Sequence, residues 1–228
     1  GSPVTAARSM TPKRLGAYVP MSRQLLIQNP MLESKVLGSI LEAIYVAVEG
    51  AYINGAGSSG EPTGLLGTSG IQSVAMGTNG AVPSLAKILE LVAALGTANA
   101  NEANLKFLIN SKVKGKLQQT SIDSGSGAMI MAYQNYFGGT TGVIDGKLTA
   151  VTSNVPSNLT KGSGTGLSPI ICGEFNKSVV GQFGGMDILT DPYTLALTGQ
   201  TRLIANTFWD MAFLQPAVFG VIPDVVTA

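Results

Sequence analysis

Apolar positions recur every four residues from Leu32 through Val36, Ile40 and Ile44 to Val48, and Leu37, Leu41 and Tyr45 widen the stripe. Lys35, Glu42 and Glu49 recur every seven residues and mark a narrow polar face. This pattern predicts a helix over 31–53, roughly 35 Å long at about 1.5 Å per residue, with its broad apolar side laid on a sheet. Asn29-Pro30 offers an N-cap and a first-turn proline. Asn54-Gly55 supplies the stop, since both residues tolerate the left-handed conformation of a helix C-cap.

The C-terminal region carries a different period. In "TRLIANTFWDMAFLQPAVFGVI", Leu203, Ala205, Thr207, Trp209, Met211 and Phe213 share one face, and Arg202, Asn206 and Asp210 share the other. A strand over 201–215 follows, roughly 50 Å long at about 3.3 Å per residue. Most strands have about 5–6 residues, so this one is matched to the long helix.

Shorter elements fill the rest. "RLGAYVPM" (14–21) reads as a strand ending at Pro20, and Ser22 caps a short helix "RQLLIQ". Residues 55–83 are glycine-rich, with one short strand, "IQSVAM". Ser84 caps a helix over 85–98, "LKFLIN" is a buried strand, and "SKVKGKLQQT" is a short basic helix. Residues 124–127 read as a mobile loop, and "AMIMAYQ" as a strand or short helix. "VIDGKLTAVTS" reads as a strand pair turning at Asp145-Gly146. Residues 156–168 read as a polar loop, "SPIICGEF" as a strand, 176–183 as a short helix or turn, and "GGMDILTD" as a strand. The fold class is α+β. Residues 13–60 and 198–228 form an elongated helix-on-strands domain, 61–197 a compact domain with helices on a mixed sheet, and 1–12 an irregular lead.

Composition narrows the function. Charged residues make up 12% of the chain, about half the usual ~25%, and hydrophobic residues 45%. Such a chain buries much surface or presents apolar surface to partners. The net charge of +1 gives no strong field for nucleic acid or an anionic membrane. The absence of histidine excludes Ser-His-Asp triads, Cys-His pairs and His-ligated metal sites. The lone cysteine, Cys172, excludes an intrachain disulfide and reads as a buried thiol. No apolar run reaches the ~20 residues of a membrane helix, and a signal peptide's apolar core is missing. Gly1-Ser2, with no initiating Met, looks like an expression scar on a piece of a longer protein.

Gly55-Ala56-Gly57-Ser58-Ser59-Gly60 spells the G-x-G-x-x-G of a dinucleotide loop. A working loop follows a strand and opens a helix, so that the helix N-terminus faces the pyrophosphate. Here the glycines follow a helix C-terminus, whose partial negative charge repels phosphate, and no helix starts before Ser84. We read them instead as a sharp turn with close backbone approach, with Gly55 or Gly57 at positive φ. "GVIDGKLT" lacks the P-loop spacing and has Leu148 where Ser or Thr is needed. Glu33, Glu42 and Glu49 lie on a solvent-facing helix stripe, and Asp187, Asp191 and Asp210 have no evident catalytic partner. No catalytic, cofactor-binding or metal-ligating residue is assigned, and no cofactor is expected.

The order of these landmarks resembles the major capsid protein of tailed phages, the HK97-like fold family. "LGAYVPMSRQLL" resembles the strand and turn before the family's spine helix. "PMLESKVLGSILEAIYVAVEGAYINGAGSSGEPTGLL" resembles that helix and its Gly-rich exit. "DGKLTAVTSNVP" resembles the family's strand pair, "IICGEFNKSVV" its "G-D-F" strand with Glu174 for Asp, and "LIANTFWDMAFLQPAVFGVI" its closing strand. The resemblance covers residues 13–223 and implies a peripheral (P) domain at 13–60 and 198–228 and an axial (A) domain at 61–197.

It further implies a non-enzymatic shell subunit that assembles into pentamers and hexamers of an icosahedral head around double-stranded DNA. Its partners would be itself, neighbouring capsomers, packaged DNA bound non-specifically, and a scaffold, maturation protease and portal, with no membrane. The localisation would be the virion, assembled in the bacterial host cytoplasm. The family's N-terminal arm and most of its extended loop have no counterpart beyond residues 1–13, and cross-linking residues are not recognisable around 199–207. Loops 95–104 and 122–128 are expected near the capsomer axis. An encapsulin-like compartment shell is the alternative within this fold, and a nucleotide-dependent enzyme using Gly55–Gly60 the alternative outside it.

Overall fold

The computed structural model describes residues 8–29, 31–122, 125, 129–131 and 142–227. It divides into two units, Gly1–Gly67 with Val179–Ala212, and Thr68–Ser178 with Phe213–Ala228.

In unit 1, β1 (Lys13–Ser22) passes into α1 (Arg23–Gln28) and then α2 (Leu32–Asn54). Asn29 Oδ1 accepts from Met31 N at 3.2 Å, but the helix proper starts at Leu32, one residue later than its periodicity suggests. The predicted stripe is the buried one. Ile40 and Ile44 are enclosed, and Leu32, Val36, Leu37 and Val48 pack at their margins on Met21, Leu203 and Ala205. Tyr45, expected to widen the stripe, is 59% exposed. By length and composition α2 could cross a membrane, with a mean hydropathy of 1.5, which corrects the expectation that no segment would qualify. In this structure the same apolar stripe lies on a sheet.

That sheet is narrow. β10 (Gln200–Phe213) pairs antiparallel with β1, from Lys13↔Trp209 to Ser22↔Gln200. It also pairs with β8 (Ser178–Gln182) and with β9 (Asp187–Asp191). Burial alternates along β10 from Thr201 to Thr207 and then slips, so Asp210 is buried rather than on the exposed face expected for it. Its carboxylate accepts from Thr11 N at 2.6 Å and lies 3.8 Å from Lys13 Nζ.

In unit 2 the sheet order is β2 (Gln72–Ser73), β11 (Phe219–Val226), β7 (Gly164–Gly173), β3 (Lys106–Ile109), β5 (Lys147–Val151) and β4 (Val143–Ile144), with β6 (Leu159–Lys161) also on β7. The β2–β11 and β3–β5 pairs are parallel and the β11–β7, β7–β3 and β5–β4 pairs antiparallel, the mixed sheet expected. Helices α3 (Leu85–Thr97) and α4 (Ser111–Leu117) complete the core through Ile88, Leu91, Leu95, Val113 and Leu117. Asp145 (φ 51°) and Gly146 (φ 68°) form the predicted hairpin turn.

Three expectations change. Residues 156–168 are not a loop: β6 and the start of β7 form a hairpin there. Residues 178–182 form strand β8 rather than a short helix or turn. Residues 179–197 group with unit 1 and 213–228 with unit 2, because β8 and β9 pair with β10 whereas β11 pairs with β2 and β7. The segments 124–127 and 128–134 fall largely outside the described residues.

Candidate assembly surface

The glycine-rich loop after α2 is a closed turn. Gly55 N bonds Ala51 O at 2.8 Å, Gly57 N bonds Pro62 O at 3.1 Å, and Gly64 N bonds Gly55 O at 2.9 Å. A Cβ on Gly64 would sit 2.7 Å from Ala51 O and 2.8 Å from Asn54 N, so the glycine permits a backbone approach that no side chain allows. Gly57 takes φ +68° and Gly55 φ −59°, so the left-handed residue is Gly57. Ala56 N, an amide that would face a phosphate, is taken by Glu61 Oε2 at 3.1 Å. An anion's place is filled by the loop's own carboxylate, at the negative end of a helix. The nucleotide reading fails on this geometry.

Asp191 and Glu174 hold local structure. Asp191 accepts from Thr194 Oγ1, from Tyr193 N at 2.9 Å and Thr194 N at 3.2 Å, and from Arg202 Nη2 at 3.1 Å. The Thr194 hydroxyl, these amides and the Arg202 guanidinium hold its carboxyl far below the usual range. Glu174 takes Asn104 Nδ2 at 3.3 Å and Asn101 N at 3.4 Å. Burial pushes its pKa up, but these bonds outweigh burial and the net shift is downward. Burial drives the Cys172 thiol up to about 12, out of nucleophilic range. Glu33 accepts from Thr190 Oγ1 at 3.3 Å. Among the described residues, no three Cys, Asp or Glu side chains are grouped as a metal site. These groups are spent on turns, caps and interstrand ties.

What the surface offers is apolar. In unit 1, Ile27 is 81% exposed, Tyr193 84% and Leu197 fully so. Tyr18, Ile188 and Leu189 stand out from the sheet. Arg202 stacks over Tyr18 at 5.8 Å from the ring centroid. Alongside β1 and α2, an open apolar groove of about 350 Å³ is lined by Ala17, Val19, Val36, Ile40 and Ala43. Contiguous apolar surface marks contact with other proteins, and these groups are candidates for it.

The model of the phage capsid family matches residues 1–223. The chain belongs to the phage capsid family. No curated protein sequence matches it. The capsid of the native GTA particle is similar in structure, with a TM-score of 0.75 at 19% identity, covering 99% of this chain and 80% of that one. A solved structure from Mycobacterium phage Adephagia superposes with a TM-score of 0.69 at 11% identity, over 96% and 74% of the two chains. The SrpI encapsulin of Synechococcus elongatus PCC 7942 gives 0.68 at 16% identity, over 95% and 75%.

This capsid protein has the HK97-like fold expected for it, and it is a structural shell component of the virion. Sequence reasoning assigned it no site residues. It missed the exposed strand edges of unit 1, whose only sequence signal is the contrast between the basic start of β1 and the two aspartates of β9.

Proposed function

We propose that this capsid protein forms pentamers and hexamers of the icosahedral head of a tailed phage or prophage, enclosing double-stranded DNA and catalysing nothing. Unit 1 corresponds to the peripheral domain and unit 2 to the axial domain, with 95–104 toward the capsomer axis. Assembly takes place in the host cytoplasm, with scaffold, maturation protease and portal as partners. The observation that carries this reading is the family match across residues 1–223, joined to a unit 1 whose helix-on-sheet layer leaves large apolar groups uncovered. Head-to-tail contacts that close give rings, and many weak apolar contacts add up across a shell. Near-neutral charge lets a container hold DNA without gripping it.

The encapsulin-like alternative is favoured by the similarity to the SrpI encapsulin. Electron microscopy of the protein expressed in bacteria, with assay of particle contents, separates the readings. Rings or shells associated with DNA support the head, and shells filled with a protein cargo support the compartment. A monomer under every assembly condition would sink both.

A further inference from the structure

The sheet of unit 1 ends in two open edges of unlike character. β1 flanks one side of β10 over Gln200–Trp209, and β9 flanks the other over Arg202–Asn206. Among the described residues, β1 and β9 each pair with β10 alone, so each turns a row of backbone N–H and C=O groups away from the sheet. Pro20 within β1 fits an edge strand, since it has no N–H to give. β1, "KRLGAYVPMS", carries Lys13 and Arg14 and no acid; β9, "DILTD", begins and ends in aspartate and carries no base. Both strands run antiparallel to β10 and are therefore parallel to each other.

Taking the partner's identity from the shell reading above, we infer that β9 of one copy adds to the β1 edge of the next as a parallel strand, with Arg14 beside Asp187. The register follows from which face each side chain occupies. Arg14 reaches Asn206 Oδ1 at 2.7 Å, and Asp187 stands opposite Asn206 in the ladder, so Arg14 and Asp187 share a face. The same register sets Leu15 beside Ile188 on the side facing α2, covering an isoleucine that is 43% exposed. It also brings Leu189, 54% exposed, over Gly16.

There the missing side chain leaves a depression of about 330 Å³ lined by Arg14, Ala17, Tyr18, Ile204 and Asn206. A Cβ on Gly16 would lie 2.8 Å from Asn206 Oδ1, so the depression is built into the strand. A slip of one residue turns every side chain to the wrong face. A slip of two sets Gly16 against Asp187 and loses the charge pair. The contact is head-to-tail, and it builds rings or open arrays according to its rotation.

The full chain carrying Leu15→Cys together with Ile188→Cys tests it, because adjacent paired residues fall within the reach of a disulfide. Under mild oxidation the double variant gives a ladder of covalent dimers, trimers and larger species on a non-reducing gel, and each single variant gives at most a dimer. By sedimentation, Arg14→Asp and Asp187→Arg each raise the concentration needed for association roughly tenfold, equivalent to about 1.4 kcal/mol, and the two together restore it. Rings or shells without a ladder, and a charge swap no better than either single variant, would overturn the pairing and leave the shell reading standing. A wild-type protein that stays monomeric throughout would overturn both.

Discussion

The two units bury their cores to different depths. In unit 2, α3, α4, β3, β7 and β11 enclose Ile88, Leu91, Phe107, Ile109, Val113 and Cys172 completely. In unit 1, one helix lies on a narrow sheet and encloses Met21, Ile40, Ile44, Leu203 and Ala205, while Leu15, Ala17, Val19, Val36 and Val48 around them are only partly covered. β7 is buried from Leu167 to Gly173, as a central strand should be. β1 is half-buried at best on alternate residues until Met21. Unit 2 completes its own core. Unit 1 leaves apolar groups only partly covered among the described residues.

The sharpest way to break that contrast is a matched pair of truncations. Phe107→Ala empties a fully enclosed site and should cost about 3–5 kcal/mol. Ile44→Ala should cost nearer to about 2 kcal/mol, because its partly covered neighbours can settle into the gap. Urea unfolding followed by circular dichroism gives both values. Trp209, the sole tryptophan, reports unit 1 by fluorescence. Equal losses would mean that unit 1 is as rigidly packed as unit 2.

Next in size is a buried ion pair of unit 2. Asp224, fully buried, accepts from Lys161 Nζ at 2.7 Å, from Met76 N at 2.9 Å and from Gly77 N at 3.2 Å. It ties the segment before α3 and the β6–β7 hairpin to β11. Burial alone would raise its pKa, but the Lys161 ammonium and the two amides outweigh burial and hold it below the usual aspartate value. A depressed carboxylate stabilises the fold above its unfolded pKa of about 3.9, and that contribution fades as pH falls through the folded value. Asp224→Asn should therefore cost about 2–3 kcal/mol at neutral pH. The gap to wild type should narrow below about pH 4. A gap that stays constant from pH 7 to pH 3 would show that shape, not charge, holds the tie.

Legibility in the sequence followed the range of the interactions. α2 was readable because a stripe at every fourth residue is a local signal, and so was the turn at Asp145-Gly146, whose residue types suit positive φ. The β6–β7 hairpin was not, because its Gly, Ser and Thr residues look like a loop until Lys161↔Gly164 and Leu159↔Leu167 pair across the turn. Asp210 was placed on the wrong face because strict alternation fails near Phe208, where β10 slips out of register with its burial pattern. The unit boundary moved because it depends on which strand flanks β10, a contact between residues far apart in the chain. The candidate assembly edges are hidden for the same reason: "DILTD" looks like any short strand until the strand order puts it outermost.

The smallest effects sharpen the contrast at the helix starts. Three of the four described α-helices start at residues that favour the N-cap position, yet their hydrogen bonds differ. Asn110 Oδ1 accepts from Val113 N at 2.8 Å out of water, and its Nδ2 donates to Pro156 O at 3.1 Å in a partly buried position. Ser84 accepts from Lys87 N at 3.5 Å in the open. In unit 1, Ser22 precedes α1 with no side-chain cap bond at all. Alanine substitutions should cost about 1–2 kcal/mol at Asn110, about 0.5 kcal/mol at Ser84, and close to nothing at Ser22. Thermal melts of the three variants under one set of conditions measure the order directly. A loss at Ser22 equal to that at Asn110 would mean that α1 is anchored as firmly as α4. The half-covered layer of unit 1 would then owe more to its local helix signals than to the neighbours proposed to complete it.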